Sequence, residues 1–87
     1  MAVIGFASLA GTPASAAPSP CRSVHALGGL WGVQGSGVAC SFQRRWTRRY
    51  LNHARVPDGW SCHGRLFEVG GCHKRHGSAS FQFYVQD

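Results

Sequence analysis

Carboxylates are almost missing from this chain. Of its 87 residues only Asp58, Glu68 and Asp87 are acidic, against nine basic ones, so the formal net charge is +6. Paired-acid chemistry is excluded, because Asp58 and Glu68 are the only internal carboxylates and neither stands in a motif with His53, the candidate base. Lysine is equally scarce: apart from Lys74 every basic residue is an arginine, whose planar fork suits bidentate contacts to anions. No Gly-x-Ser-x-Gly, phosphate-loop or His-Glu-x-x-His pattern occurs, and the cysteines, expected to be oxidised, supply no nucleophile. A small secreted nuclease of the His and Glu type is the one enzymatic reading left. The composition favours binding over turnover, with no catalytic residue, cofactor or metal expected.

Long apolar runs are also lacking. Ala2 to Gly11 (AVIGFASLAG) is about half the length a bilayer span needs, and Pro13, Pro18 and Pro20 break any continuation. The run leads through Thr12-Pro13 into Ala14-Ser15-Ala16, an A-x-A cleavage pattern, although no Lys or Arg precedes it. Residues 1–16 therefore read as a secretion signal, 17–27 as an extended leader and 28–87 as one domain of a secreted, extracellular protein without a membrane span. A domain this small has little core, so an even set of cysteines, Cys21, Cys40, Cys62 and Cys72, reads as two disulfides. Three pairings are open. Cys21 with Cys40 and Cys62 with Cys72 is favoured, since each pair brackets a Gly-containing segment able to fold back, and each closure contributes roughly 3 kcal/mol. Cys62-His63 and Cys72-His73 repeat a dipeptide, with His76 nearby, which raises a zinc site. The cysteines are too far apart for the usual ligand spacing and an oxidising compartment competes for the thiols, so the histidines are expected on the surface.

Short strands dominate the pattern. Five glycines between Gly28 and Gly37 (GGLWGVQGSG) disfavour helix and suit turns and close-packed strands. Val38, Cys40 and Phe42 alternate with Ala39 and Ser41, and Arg65 to Val69 is a β-prone run before Gly70-Gly71. Phe81, Phe83 and Val85 face one side and Gln82, Tyr84 and Gln86 the other, the clearest two-residue period in the chain. Pro57-Asp58-Gly59 marks a turn. Between them Ser41 to Ala54 is ambiguous: Phe42, Trp46 and Tyr50 recur every four residues, yet Phe42, Arg44, Trp46, Arg48 and Tyr50 would share one strand face. Its aromatic and Thr content and its β neighbours favour a long strand or hairpin. The expectation is a small disulfide-stapled all-β domain of about six short strands.

The densest chemistry is Arg44-Arg45-Trp46-Thr47-Arg48-Arg49-Tyr50. Four guanidinium groups around two large aromatics suit a phosphate with flat or sugar-like neighbours, Arg forking the oxygens while Trp46 or Tyr50 stacks. Candidate ligand-binding residues are therefore Arg44, Arg45, Trp46, Arg48, Arg49 and Tyr50. Three partners fit, a nucleic-acid backbone, an anionic lipid headgroup or a pyrophosphate-linked wall precursor; the expectation is an anionic envelope ligand, with nucleic acid ranked last. The bland alternative is a solvated strand on which Arg covers Trp46.

Gly28-Gly29-Leu30-Trp31-Gly32, His53-Ala54-Arg55-Val56 and Ala79-Ser80-Phe81-Gln82-Phe83-Tyr84 occur in an order and spacing that resembles the lactococcin 972 family of secreted bacteriocins, over most of Gly28 to Tyr84. The four cysteines and the Arg-rich stretch Phe42 to Tyr50, which stands where the family has Ser-x-Tyr-x-His, depart from its pattern. The resemblance implies a β-sandwich of two antiparallel three-stranded sheets. It also implies an antibacterial that binds the wall precursor lipid II and blocks septum formation without making pores. A second likeness leads to a different class: four cysteines and Trp46 to Tyr50 loosely resemble the small secreted α-amylase inhibitors with their exposed Trp-Arg-Tyr element, which implies a hydrolase inhibitor.

Overall fold

A computed structural model describes residues 19–86. The expected secretion signal, residues 1–16, lies outside them. Strands β1 (Ser19–Ala26) and β2 (Gly29–Ser36) are followed by helix α1 (Cys40–His53), then β3 (Trp60–His63), β4 (Val69–Lys74) and β5 (Ser80–Val85). The strands form one five-stranded antiparallel sheet in the order β1-β2-β5-β4-β3. The two-layered sandwich is thus corrected to a single sheet, whose second layer is a helix.

The Ser41 to Ala54 segment accounts for the difference. As a strand it would have placed Arg44 and Arg48 on the face of Phe42, Trp46 and Tyr50, forcing charge and apolar rings to share one environment. The helix separates them. Gln43, Thr47, Tyr50 and Leu51 form a buried stripe at helical spacing, while Arg45, Arg48 and Arg49 face solvent. The stripe covers Val24, Trp31, Val33, Phe81 and Phe83 of β1, β2 and β5, with Trp60 and Cys72 completing the core from β3 and β4. Phe42, half-buried, lies 5.3 Å from Trp60 and edge-on to Phe81 at 6.3 Å, both ordinary aromatic separations.

Several boundaries move as well. Residues 19–26, read as leader, form the edge strand β1, where Pro20 is tolerated because an edge strand has a free side. Val38 lies in the loop after β2, and Cys40 and Phe42 belong to α1 rather than to a strand. Arg65 to Glu68 is a loop rather than a strand, and β4 starts at Val69 and runs on through Gly70-Gly71. Those glycines admit a neighbour rather than ending the strand: a Cβ on Gly70 would overlap the His63 carbonyl and the Phe83 ring. The β5 alternation is as expected, with Phe81 and Phe83 buried, though Val85 at its end is 43 % exposed. Trp60 N–H donates to the Pro57 carbonyl at 3.1 Å, and Gly59 takes φ 83° in the turn between them.

The disulfides are Cys21–Cys40 and Cys62–Cys72, the favoured pairing, and no free cysteine remains among the described residues. The first fastens β1 to the first residue of α1. The second joins directly opposed positions of β3 and β4.

Candidate functional site: the cationic face of the helix

Helix α1 is locally ill-favoured. Its N-cap is Ala39, which makes no side-chain cap bond, and its first turn has no acid to complement the dipole. Arg44 and Arg48, and Arg45 with Arg48 and Arg49, are like charges at i, i+3 or i, i+4, each pair costing about 0.2–0.5 kcal/mol. Tertiary structure offsets this through the Cys40 disulfide and the buried stripe. Arg45, Arg48 and Arg49 are left as one exposed ridge along the solvent side. Asp58 and Glu68, the acids among the described residues, lie elsewhere, before β3 and β4 respectively.

The other three candidate residues have different positions. Arg44 is half-buried; its Nε donates to the Arg22 carbonyl at 3.1 Å and its Nη2 to the Ser23 carbonyl at 3.2 Å. Arg22 and Ser23 lie where the β1–β2 register shifts, so this guanidinium serves carbonyls at an irregularity of the ladder. Trp46 is half-buried beside Phe42, and Arg49 already sits over its ring, Cζ 4.8 Å from the centroid. Tyr50 is buried, its ring centroid 5.8 Å from that of Phe83, leaving no open face on which a ligand could stack. The Trp-Arg-Tyr element of the inhibitor likeness is therefore not displayed as a unit.

Two residues outside the Arg run join the site. Ala54 adopts the left-handed conformation, φ 58° and ψ 31°, reversing the chain after α1. Arg49, His53 and Arg55 consequently line one surface recess of about 550 Å³. The i+4 relation of His53 to Arg49 exists only on the helix, not on the expected strand, and the return of Arg55 depends on a left-handed alanine that nothing in the local sequence announces. Arg65 is committed elsewhere: it donates to the carbonyls of Tyr50 at 2.9 Å and Asn52 at 3.4 Å, placing a cation on the negative end of the helix dipole.

The repeated Cys-His dipeptides fall into place through strand register. Cys62 opposes Cys72, His63 opposes Gly71 and Ser61 opposes His73, so both imidazoles are exposed on the sheet face away from α1. Among the described residues no three metal-ligating side chains gather, and no helix is long and apolar enough to cross a membrane. Comparison with protein-family models, with curated proteins and with solved structures finds no match to this chain.

Proposed function

We propose that the protein is a secreted antibacterial, a bacteriocin, that grips a phosphate-bearing component of the bacterial envelope, the wall precursor lipid II, and thereby blocks septum formation. The observation that carries the reading is the exposed ridge Arg45, Arg48 and Arg49, continued by His53 and Arg55 around an open recess. Guanidinium groups presented on a stapled helix can fork phosphate oxygens without ordering the backbone, so that only the side chains, at about 0.5–1.5 kcal/mol each, are immobilised on binding. The ridge replaces the wider set read from sequence: Arg44 is engaged with β1 and Tyr50 is in the core. Two disulfides are compatible with an extracellular site of action. The resemblance to the lactococcin 972 family adds the choice of target through its motifs alone, since its two-sheet fold is not the one found here.

The test is binding of the full chain to envelope fragments and to soluble wall precursor, with the triple variant R45A/R48A/R49A as comparison. These side chains are exposed, and relief of their mutual repulsion roughly offsets the lost Arg49–Trp46 contact, so the variant should melt close to the parent while losing most of its binding, and the parent's binding should weaken as salt rises. Growth arrest at division without dye leakage, relieved by added precursor, is the matching cellular result. Undiminished binding by a folded triple variant refutes the assignment.

A further inference from the structure

Six of the seven large apolar side chains exposed among the described residues gather at one end of the molecule: Leu27, Leu30, Leu66, Phe67, Val69 and Val85. Hydrogen bonds bring their segments together. Gln86 N–H donates to the Leu30 carbonyl at 2.8 Å and Val85 N–H to the Glu68 carbonyl at 2.9 Å, while Val69 is paired with Tyr84. Leu27 N–H donates to Asn52 Oδ1 at 3.0 Å, and Arg65 ties the Leu66-Phe67 loop to the same helix end. The β1–β2 turn, the β3–β4 loop and the C-terminus of α1 thus form a single end surface.

Two features of that surface indicate that its apolar groups meet something other than water. Leu66 and Phe67, adjacent at the loop, are 78 % and 73 % exposed, which no packing role within the domain explains. Leu27 takes φ 51°, beside Gly28 at 75°, in a two-residue hairpin turn where Asn or Gly is favoured. An apolar side chain is held there despite the backbone cost. Beside the patch, at the same end of α1, lies the recess of Arg49, His53 and Arg55, with Glu68 the one acid in the loop. A second copy of the chain would set Arg49 and Arg55, and a net charge of +6, against their own kind. An acidic lipid surface complements both parts, with headgroups for the arginines and acyl boundary for the leucines and phenylalanine.

We infer that this end of the domain inserts shallowly into an anionic phospholipid bilayer, with Leu66 and Phe67 as the leading wedge. The inference takes from the proposed function only the sign of the partner's charge. It adds a second contact, which would let the Arg ridge work at the membrane plane.

The experiment is cosedimentation of the full chain with vesicles of phosphatidylglycerol and phosphatidylcholine, and with phosphatidylcholine alone. The parent should partition onto the anionic vesicles, and Leu66→Ser with Phe67→Ser should weaken this about 100-fold, the loss expected when two apolar side chains no longer leave water. Both positions are outside the core, so an unchanged melting curve shows that the variant is folded. R45A/R48A/R49A should lower vesicle binding mainly at low salt and leave a salt-resistant part that the Leu66/Phe67 variant lacks. Equal binding by the folded Leu66/Phe67 variant and the parent overturns the inference. So does a parent dimer that this variant dissolves and that does not bind vesicles, since a second copy would then cover the patch. If the Leu66/Phe67 variant loses vesicles while the ridge variant still captures wall precursor like the parent, the insertion stands and the lipid II reading fails.

Discussion

A cap placed on α1 should stabilise the protein by an amount that separates into two parts. Ala39 has the extended backbone of an N-cap, φ −66° and ψ 153°, and its carbonyl already accepts from the N–H groups of Phe42 and Gln43 at 3.1 Å each. Only the capping side chain is missing. Ala39→Asn supplies an oxygen to the first-turn amides and should add about 1 kcal/mol. Ala39→Asp supplies the same oxygen with a negative charge at the positive end of the helix dipole, close in sequence to Arg44 and Arg45. The charge adds a further 0.5 kcal/mol or so, making about 1.5 kcal/mol in total and roughly 6–12 °C in Tm for a domain of this size. Thermal melts of parent, Asn and Asp variants at low and at molar salt provide the assay. The Asn gain should survive salt, whereas the extra Asp gain should vanish as the screening length falls to about 3 Å. An Asn variant no more stable than the parent would show that α1 does not begin at Cys40. An Asp advantage that persists in molar salt would show that the dipole and the Arg charges are not its source.

Three other substitutions probe the same packing. Arg44→Ala should cost about 1 kcal/mol in chemical denaturation because the Arg22 and Ser23 carbonyls lose their donor, while Arg45→Ala stays within about 0.5 kcal/mol; equal effects would refute the division of labour within the Arg run. Thr47 Oγ1 is fully buried without a hydrogen-bond partner, so the near-isosteric Thr47→Val should raise stability by about 1 kcal/mol, and a loss would reveal a partner for that hydroxyl. Intact mass after alkylation without reductant should show no modified thiol, and Cys21→Ser with Cys40→Ser should lower stability by about 3 kcal/mol, the loop-closure value for a 19-residue separation.

What could be read from sequence was whatever local spacing decides. The Phe81/Phe83 alternation needs only a sheet with one covered face, and each cysteine pair closes a loop short enough for local folding to choose its partner. The helix was hidden because two of its most buried residues, Gln43 and Thr47, are polar, so an apolar count saw Phe42, Trp46 and Tyr50 without the stripe that decides between periods. Leu66 and Phe67 misled in the opposite way, since strand propensity says nothing about whether a partner strand arrives. Within the site, Arg45, Arg48 and Arg49 were visible as a charge run. The role of Arg44 depends on a strand irregularity that exists only once α1 meets β1, and that of Arg55 on a helix end closed by a left-handed alanine where glycine or asparagine is the usual signal.

The position of β5 has a kinetic consequence. Among the described residues it is the last strand in chain order yet the middle of the sheet, pairing Val33 of β2 with Phe83 and Cys72 of β4 with Phe81. Until it arrives the chain holds two separate hairpins, β1–β2 and β3–β4, each too small to be stable alone. Its pairing with β4 is a local hairpin, but its partners in β2 lie on the far side of α1, β3 and β4 in the chain, and contacts of such long sequence separation close late, because the loop entropy comes before the reward. Folding should therefore wait for the arrival of Ser80 to Val85, and a chain ending at Ala79 should show no cooperative melt. The sheet therefore closes in one late event, when β5, already able to pair with β4, docks against β2 and joins the two halves into a single core.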